Sequence, residues 1–143
     1  CISAEDYHTQ IIDVGIPHVL LDVRDSKHYE MANLKYAFPR PMVDDASMPS
    51  VLHVNIPLAH LRRQLAVRAT GGSTEENKNI AAGTPAALES VLGAKYVYVL
   101  CRRGRASRDA TRLLLEVGCS ATVNIEGGLE AWRETVDEAF PNI

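Results

Sequence analysis

The strongest structural signal in the chain is the stretch Tyr96-Val97-Tyr98-Val99-Leu100-Cys101-Arg102-Arg103-Gly104-Arg105-Ala106-Ser107. Its first five residues are aromatic, β-branched or apolar, which predicts a buried strand that ends directly before Cys101. Beyond Cys101, apolar residues recur with helical spacing until Gly118, at Ala106, Ala110, Leu113, Leu114 and Val117. The segment from Arg102 to about Arg105 is therefore predicted to be a tight loop between a strand end and a helix start.

Strands and helices alternate on both sides of this stretch. A short apolar run predicts a buried strand at His18–Val23, and the run Val51–Pro57 predicts a strand that proline closes. Helix signals lie between and around these strands: Ser3 followed by Asp6 as a cap with Tyr7, Ile11 and Val14 on one face, a short helix at 26–32, a helix from Leu58 through Leu65, and one with Thr84 as N-cap and Pro85 as its first residue. This order predicts an α/β domain with a mostly parallel sheet.

Length and composition fit one domain. The chain has 143 residues, 46% of them hydrophobic, which is enough for one core. Two polar segments, near residues 38–50 and 68–83, are predicted to be surface insertions because of their prolines, glycines and charges. The first residue, Cys1, suggests a fragment of a longer protein.

Cys101 is the candidate nucleophile. Chemistry in an open α/β sheet lies at the carboxyl ends of the strands, where Cys101 is predicted to be. The loop amides and the start of the following helix favour an anion at that position. Between residues 102 and 112, five arginines stand against one acid, Asp109, and cations beside a helix N-terminus favour the thiolate over the thiol.

Other composition features exclude several kinds of site. Three cysteines without a C-x-x-C pair favour a reducing compartment, and cytoplasmic localisation is expected. The net charge of -3 gives no reason to expect direct nucleic-acid binding, and no apolar run is long enough to cross a membrane. The five histidines lack ligand spacing, so no metal site is expected. No cofactor is expected in this domain either.

Three ordered motifs resemble the rhodanese family. The segment Cys101–Ser107 resembles the rhodanese active-site loop, 20–24 resembles the early strand signature, and 126–132 resembles the closing segment. The resemblance implies a rhodanese-like fold, in which a central, mostly parallel sheet of five strands is flanked by helices on both faces. It also implies a sulfurtransferase that carries sulfur as a persulfide on Cys101. It further implies that the loop residues contact the substrate: Arg102, Arg103, Gly104, Arg105, Ala106 and Ser107. The groups expected to face and stabilise the charged sulfur are the amides of Gly104, Ala106 and Ser107 and the Ser107 hydroxyl.

Within rhodaneses, the opening residues 2–7, the segment 54–58 and the ending 127–141 are similar to the C-terminal domain of adenylyltransferase and sulfurtransferase proteins. That resemblance implies an upstream adenylating domain and, as acceptor, the adenylated C-terminus of a ubiquitin-like sulfur carrier protein. The product would be a thiocarboxylate used in tRNA thiolation or molybdenum cofactor synthesis. The sulfur donor would be thiosulfate or a protein persulfide such as that of a cysteine desulfurase.

One departure from this subfamily lies in the loop. The subfamily usually has Asn-Asp where this chain has Arg105-Ala106, so an acid is missing and a cation is gained. We therefore expect a preference for small anionic donors such as thiosulfate, and a stand-alone thiosulfate sulfurtransferase is an alternative.

Proteins with a rhodanese fold also include phosphatases and docking modules. A rhodanese-fold phosphatase needs Cys-x5-Arg, but Ser107 occupies that arginine position and Arg108 comes one residue late. A non-catalytic docking module of this fold typically loses the cysteine, which is present here. Structural roles are predicted for Arg24, as an ion-pair partner of Asp22 or Asp25, and for the core residue Trp132.

Overall fold

The computed structural model describes residues 1–34, 51–69 and 85–141, and in these ranges it is a five-stranded parallel sheet with helices on both faces. The sheet order is β1-β5-β4-β2-β3. The strands are β1 (Ile2–Ser3), β2 (His18–Asp22), β3 (Val51–Asn55), β4 (Val97–Leu100) and β5 (Thr122–Glu126). The predicted fold class is confirmed, although β1 and β5 were not individually predicted.

Six α-helices lie in the described part of the chain. They are α1 (Ala4–Asp6), α2 (Ser26–Met31), α3 (Leu58–Ala69), α4 (Pro85–Leu92), α5 (Arg105–Glu116) and α6 (Gly128–Thr135). The predicted start of α4 at Pro85 is confirmed, whereas Thr84 lies outside the described residues. Arg105 is the first residue of α5, so the loop after β4 is one residue shorter than predicted.

The N-terminal helix differs from its prediction. The Ser3 hydroxyl accepts a hydrogen bond from the Asp6 amide at 3.0 Å, as the capping pattern predicted. After α1, however, residues Tyr7–Ile12 form a π-helical segment with its wider turn. Tyr7, Ile11 and Ile12 therefore face the core, and Val14, which the regular helical spacing placed on that face, is exposed.

Alternate residues of the central strands pack into two separate cores, one on each face of the sheet. On β2, Val19 and Leu21 pack with α3, α4 and α5, while Leu20 packs on the other face with Tyr7 and Trp132. A strand buried on both faces presents apolar side chains to both, which is why Val19, Leu20 and Leu21 follow one another without alternating polar residues. Trp132 is confirmed as a core residue.

Parallel pairing brings the carboxyl ends of β2, β4 and β5 to one edge of the sheet. Cys101 follows β4 at this edge, and Arg24 lies two residues beyond β2. The edge is therefore the predicted location of the site.

Both predicted insertions lie almost wholly outside the described residues. This holds for all of residues 38–50 and for residues 70–83. The first two residues of the second segment continue α3 to Ala69. None of the helices that the structure describes has the length and apolar character needed to cross a membrane, and the same residues contain no cluster of potential metal ligands.

A buried His–Tyr pair is expected to make the stability of the fold dependent on pH. The Nδ1–H of His18 donates to the Ile16 carbonyl at 2.8 Å, so Nε2 accepts from the Tyr7 hydroxyl at 2.6 Å, and the ring also lies edge-on to Tyr98. Burial lowers the pKa of His18 below its ordinary value of 6.5. The unfolded chain consequently binds this proton more readily than the folded one.

We expect the free energy of unfolding to be largest above the ordinary imidazole pKa and to fall as the pH drops below about 6.5, because protonation of His18 breaks the bond from Tyr7. Urea denaturation at about pH 7.5, 6.5 and 5.5 measures this loss. The His18→Gln variant should lose less stability over that interval. A variant that loses as much as the wild type would show that another group is responsible.

Candidate active site

The Cys101 thiol lies at the mouth of the loop between β4 and α5. Its side chain is only 4% exposed and packs at the margin of one core. Even so, its sulfur has polar neighbours: the Gly104 amide donates to Sγ at 3.0 Å, and the Ser107 hydroxyl oxygen lies 3.2 Å away. The thiol therefore differs from an inert core cysteine, whose sulfur has apolar neighbours alone.

The start of α6 shapes this loop from outside. The amides of Leu129 and Glu130 donate to the carbonyls of Cys101 and Arg102, both at 2.9 Å. These are first-turn amides that have no partner within their own helix. Because α6 binds the carbonyl side of the loop, the amide of Gly104 is left facing the sulfur.

Glycines make this close contact possible. Gly104 has a φ of 90°, and a Cβ on it would lie 2.8 Å from the Gly127 nitrogen. Gly128 has a φ of 56°, and a Cβ there would overlap the Cys101 carbonyl oxygen. The Gly127-Gly128 pair in the closing motif thus allows the backbone of α6 to touch the backbone of the loop.

A cleft of about 310 Å³ opens above Cys101. Its walls come from the loop after β2 and from the cysteine loop: Arg24, Asp25, His28, Cys101, Arg102, Arg103, Arg105 and Ala106. Glu130 partly offsets the positive charge, since its carboxylate lies 3.1 Å from the Arg103 Nε and 3.8 Å from that of Arg102. Arg105 forms no ion pair with the described residues, and its charge is available to a bound anion.

Arg24 lines the cleft but is held by the protein itself. Its Nε and Nη2 donate to the Asp22 carboxylate at 3.0 and 2.7 Å, and its remaining bonds go to the carbonyls of His28 and Ala32. Both members of this ion pair are buried. The predicted structural role of Arg24 is confirmed, with Asp22 as its partner.

On the same wall, Asp25 and His28 form an exposed pair. Asp25 caps α2 by accepting the His28 amide at 3.0 Å, and its second oxygen lies 2.8 Å from the imidazole Nδ1. The bond from the His28 amide holds the pKa of the Asp25 carboxyl below its ordinary value. His28 is therefore fixed at the rim of the cleft.

Sequence comparison identifies the family. Residues 3–135 match the family described as the rhodanese-like domain. The chain belongs to the rhodanese family. Its fold agrees with two solved structures: an uncharacterised protein from Saccharomyces cerevisiae (TM-score 0.61, 18% identity, 98% of this chain and 95% of that one) and a human single-domain sulfurtransferase, TSTD1 (TM-score 0.54, 18% identity, 93% and 94%).

Among curated proteins, this rhodanese domain is similar to the adenylyltransferase and sulfurtransferase MOCS3 of Arabidopsis thaliana, with 36% identity over 140 residues, and to that of Mus musculus, with 35% identity over 149 residues. Each match covers 98% of this chain but 25% and 27% of the relative. The chain thus spans about a quarter of the length of these curated relatives. Family and relatives together support sulfurtransferase activity.

The predicted loop residues do not share one environment. Arg102, Arg103, Arg105 and Ala106 line the cleft beside Cys101. Gly104 and Ser107 do not line it: the first contacts the sulfur through its amide, and the second is fully buried beneath the sulfur. The amides of Ala106 and Ser107, which were expected to face the sulfur, make no hydrogen bond to it in the described structure.

Four contributors to the site were not predicted. They are Asn124, buried under the loop on β5, the pair Asp25 and His28 at the rim, and Glu130 between the arginines. Asn124 had a detectable signal, since it is a polar residue within the β-branched and apolar segment directly before Gly127-Gly128.

Proposed function

We propose that this rhodanese domain accepts sulfur as a persulfide on Cys101 and passes it to the adenylated C-terminus of a ubiquitin-like sulfur carrier protein. The donor is thiosulfate or a protein persulfide such as that of a cysteine desulfurase. The observation that carries the proposal is the position of the Cys101 sulfur, 3.0 Å from the Gly104 amide and at the floor of an arginine-lined cleft. Such a position stabilises a negatively charged sulfur.

In the first half-reaction, the Cys101 thiolate attacks the outer sulfur of thiosulfate. A sulfur–sulfur bond forms to Cys101 as the bond between the two thiosulfate sulfurs breaks, and sulfite leaves with that electron pair. The product is the anionic persulfide Cys101–S–S⁻. The charge of Arg105 and the first-turn amides of α5 are the groups available to bind the outgoing sulfite and the outer sulfur.

In the second half-reaction, the outer persulfide sulfur attacks the acyl-adenylate of the carrier. A carbon–sulfur bond forms, and AMP leaves with the electron pair of the broken carbon–oxygen bond. The resulting acyl disulfide is cleaved by a second thiolate, which forms a disulfide with Cys101 and releases the thiocarboxylate. That thiol comes from the longer protein or from an added dithiol. The adenylate comes from an upstream adenylating domain of the kind that the relatives' names describe.

Phosphatase activity is not favoured by the site. Ser107, at the position where such an enzyme needs arginine, is fully buried and bonded to the Cys101 sulfur and Asn124. Arg108 is exposed and does not line the cleft. We expect negligible turnover of para-nitrophenyl phosphate. If the domain were a non-catalytic docking module, thiosulfate would leave the mass of the chain unchanged.

Mass spectrometry tests the proposal in two stages. After incubation with thiosulfate, the chain should gain the mass of one sulfur atom, which cyanide removes as thiocyanate. The loaded chain, given a preformed acyl-adenylate of a ubiquitin-like carrier and dithiothreitol, should yield the carrier thiocarboxylate. A chain that gains no sulfur from thiosulfate, and none from a persulfidated cysteine desulfurase, contradicts the sulfurtransferase. A chain that loads sulfur but forms no thiocarboxylate contradicts the acceptor and favours a stand-alone thiosulfate sulfurtransferase.

Arg105 provides a test of donor choice. Arg105→Asp reverses a charge in the cleft wall, and we expect kcat/KM for thiosulfate to fall roughly tenfold, because the donor is a dianion. Arg112→Asp is the matched control, since it makes the same charge change on the same helix but away from the cleft. Steady-state kinetics at low and high salt measure both variants. Equal rates for Arg105→Asp and wild type would remove any role for Arg105 in donor binding.

A further inference from the structure

Asn124 is a buried amide held directly under the reactive loop. It lies on β5, only 2% of it is exposed, and its Oδ1 is 2.5 Å from the Ser107 hydroxyl oxygen. Its neighbours Val123 and Ile125 pack on the opposite face of the sheet, so Asn124 faces α5. Its Nδ2 has no hydrogen-bond partner among the described residues. A buried NH₂ group without a partner is costly and needs an explanation.

The direction of each hydrogen bond follows from the neutral thiol. The Cys101 S–H donates to the Ser107 oxygen at 3.2 Å, and the Ser107 O–H therefore donates to the Asn124 carbonyl oxygen. Once Cys101 loses its proton, the sulfur can only accept. The Ser107 hydroxyl would then have to turn toward the sulfur, which would leave two acceptor oxygens facing each other at 2.5 Å.

We propose that Asn124 is a positioning residue whose amide reverses when Cys101 becomes an anion, so that Ser107 can donate to the sulfur. The amide keeps its shape when it rotates by half a turn, so the reversal needs no extra space. In the reversed state, Nδ2–H donates to the Ser107 oxygen and the Ser107 O–H donates to the sulfur. The thiol proton leaves through the cleft to solvent, and no other covalent bond changes.

The reversal conserves the number of hydrogen bonds. Before it, Nδ2 is the atom of the Asn124 amide that has no partner among the described residues, and after it, Oδ1 is that atom. Meanwhile, the bonds from Gly104 and Ser107 to the sulfur become charge-assisted, which strengthens them. The Asn124 amide can therefore hydrogen-bond to Ser107 in either charge state of Cys101. In its reversed orientation it allows Ser107 to donate to the anionic sulfur.

The inference deepens the proposed function and rests on it where the anion is the persulfide, but its test uses the free thiol and needs no sulfur transfer. The charged and titratable groups around the sulfur come from the cleft walls and from α6, and they are Arg24, Asp25, His28, Arg102, Arg103, Arg105 and Glu130. Within the described ranges, none of them hydrogen-bonds to Ser107 or Asn124. Substitutions of Ser107 and Asn124 leave this charge set intact.

The first test is the pH dependence of Cys101 alkylation by iodoacetamide, measured on the Cys101 peptide by mass spectrometry so that Cys1 and Cys119 do not contribute. Ser107→Ala should raise the midpoint by about one pH unit through loss of a donor to the anion. Asn124→Leu should raise it too, by about half a unit. The Asn124→Leu effect should vanish in a Ser107→Ala background, because Asn124 acts through Ser107.

The sign of the Asn124→Leu effect separates two mechanisms. If the amide stays fixed, Oδ1 competes with the sulfur for the Ser107 proton, and removing it lowers the midpoint. A lowered or unchanged midpoint therefore overturns the proposal. Thr122→Val is the control, since Thr122 is a buried residue on the same strand that bonds the Cys119 carbonyl. It should leave the midpoint unchanged.

A second measurement needs no variant. The side-chain NH₂ resonances of Asn124, followed by ¹⁵N–¹H NMR across the same pH range, should shift with the midpoint of Cys101 alkylation, because Nδ2–H gains a partner when the sulfur ionises. Resonances that do not move over that range overturn the proposal, even if sulfur loading by thiosulfate is observed. If the Asn124 resonances shift as expected but the chain takes up no sulfur, only the proposed function is contradicted.

Discussion

Replacing Cys101 by serine is expected to abolish sulfur uptake. An oxygen at this position can still accept the Gly104 amide, but it is not ionised near neutral pH and cannot hold a sulfane sulfur. Loss of the proposed nucleophile should lower the rate of sulfur transfer by at least about 10³-fold. Intact-mass spectrometry after thiosulfate treatment measures the uptake, and the rate of thiocyanate formation measures the turnover.

The control is Cys119→Ser. Cys119 is partly buried, burial raises the pKa of its thiol, and it follows the end of α5, so it lies at the opposite edge of the sheet from Cys101. This variant should load sulfur like the wild type, and both variants should keep the wild-type thermal midpoint to within a few degrees. Sulfur uptake that persists in Cys101→Ser but is lost in Cys119→Ser would transfer the assignment to the other thiol.

Among alanine substitutions of the described glycines, Gly128→Ala is expected to lower the stability of the fold the most. The added Cβ would overlap the Cys101 carbonyl oxygen and would lie 2.8 Å from the carbonyl group of Arg102, at a φ of 56°. Overlap with backbone cannot be relieved by turning a side chain. Strain and overpacking together should lower the free energy of unfolding by at least about 3 kcal/mol, and sulfur loading should fall because the loop must move.

Gly15→Ala separates the two causes. Gly15 has a similar positive φ of 84°, but nothing lies within 4 Å of its added Cβ among the described residues. It should therefore show the backbone strain alone, about 1 kcal/mol, with sulfur loading unchanged. Urea denaturation of both variants gives the comparison. If Gly128→Ala were no more destabilising than Gly15→Ala, the close contact between α6 and the loop would not be important for stability.

The sequence predicted the structure around Cys101 where local patterns determined it. The strand before Cys101, the helix after it and the glycine at 104 are encoded by neighbouring residues, and parallel strands place their carboxyl ends together in any such sheet. The Arg24–Asp22 pair was also predictable, because Asp22 ends a buried strand, Arg24 follows it by two positions, and a buried charge needs a partner.

What was missed depends on distant parts of the chain. The bond between Ser107 and Asn124 joins residues 17 positions apart, and the amides of Leu129 and Glu130 reach back across a strand to the loop. No local pattern specifies such contacts. The short strand β1 and the π-helical segment are likewise set by what they pack against, β5 and the second core, rather than by their own spacing.

The contact between α6 and the cysteine loop also has a consequence for the order of folding. The carbonyls of Cys101 and Arg102 obtain these partners only when Leu129 and Glu130 have reached them, so the loop lacks this support earlier. During synthesis and folding we therefore expect a stage in which the thiol is as accessible as that of an unstructured cysteine and is open to oxidation. Docking of α6 ends that stage.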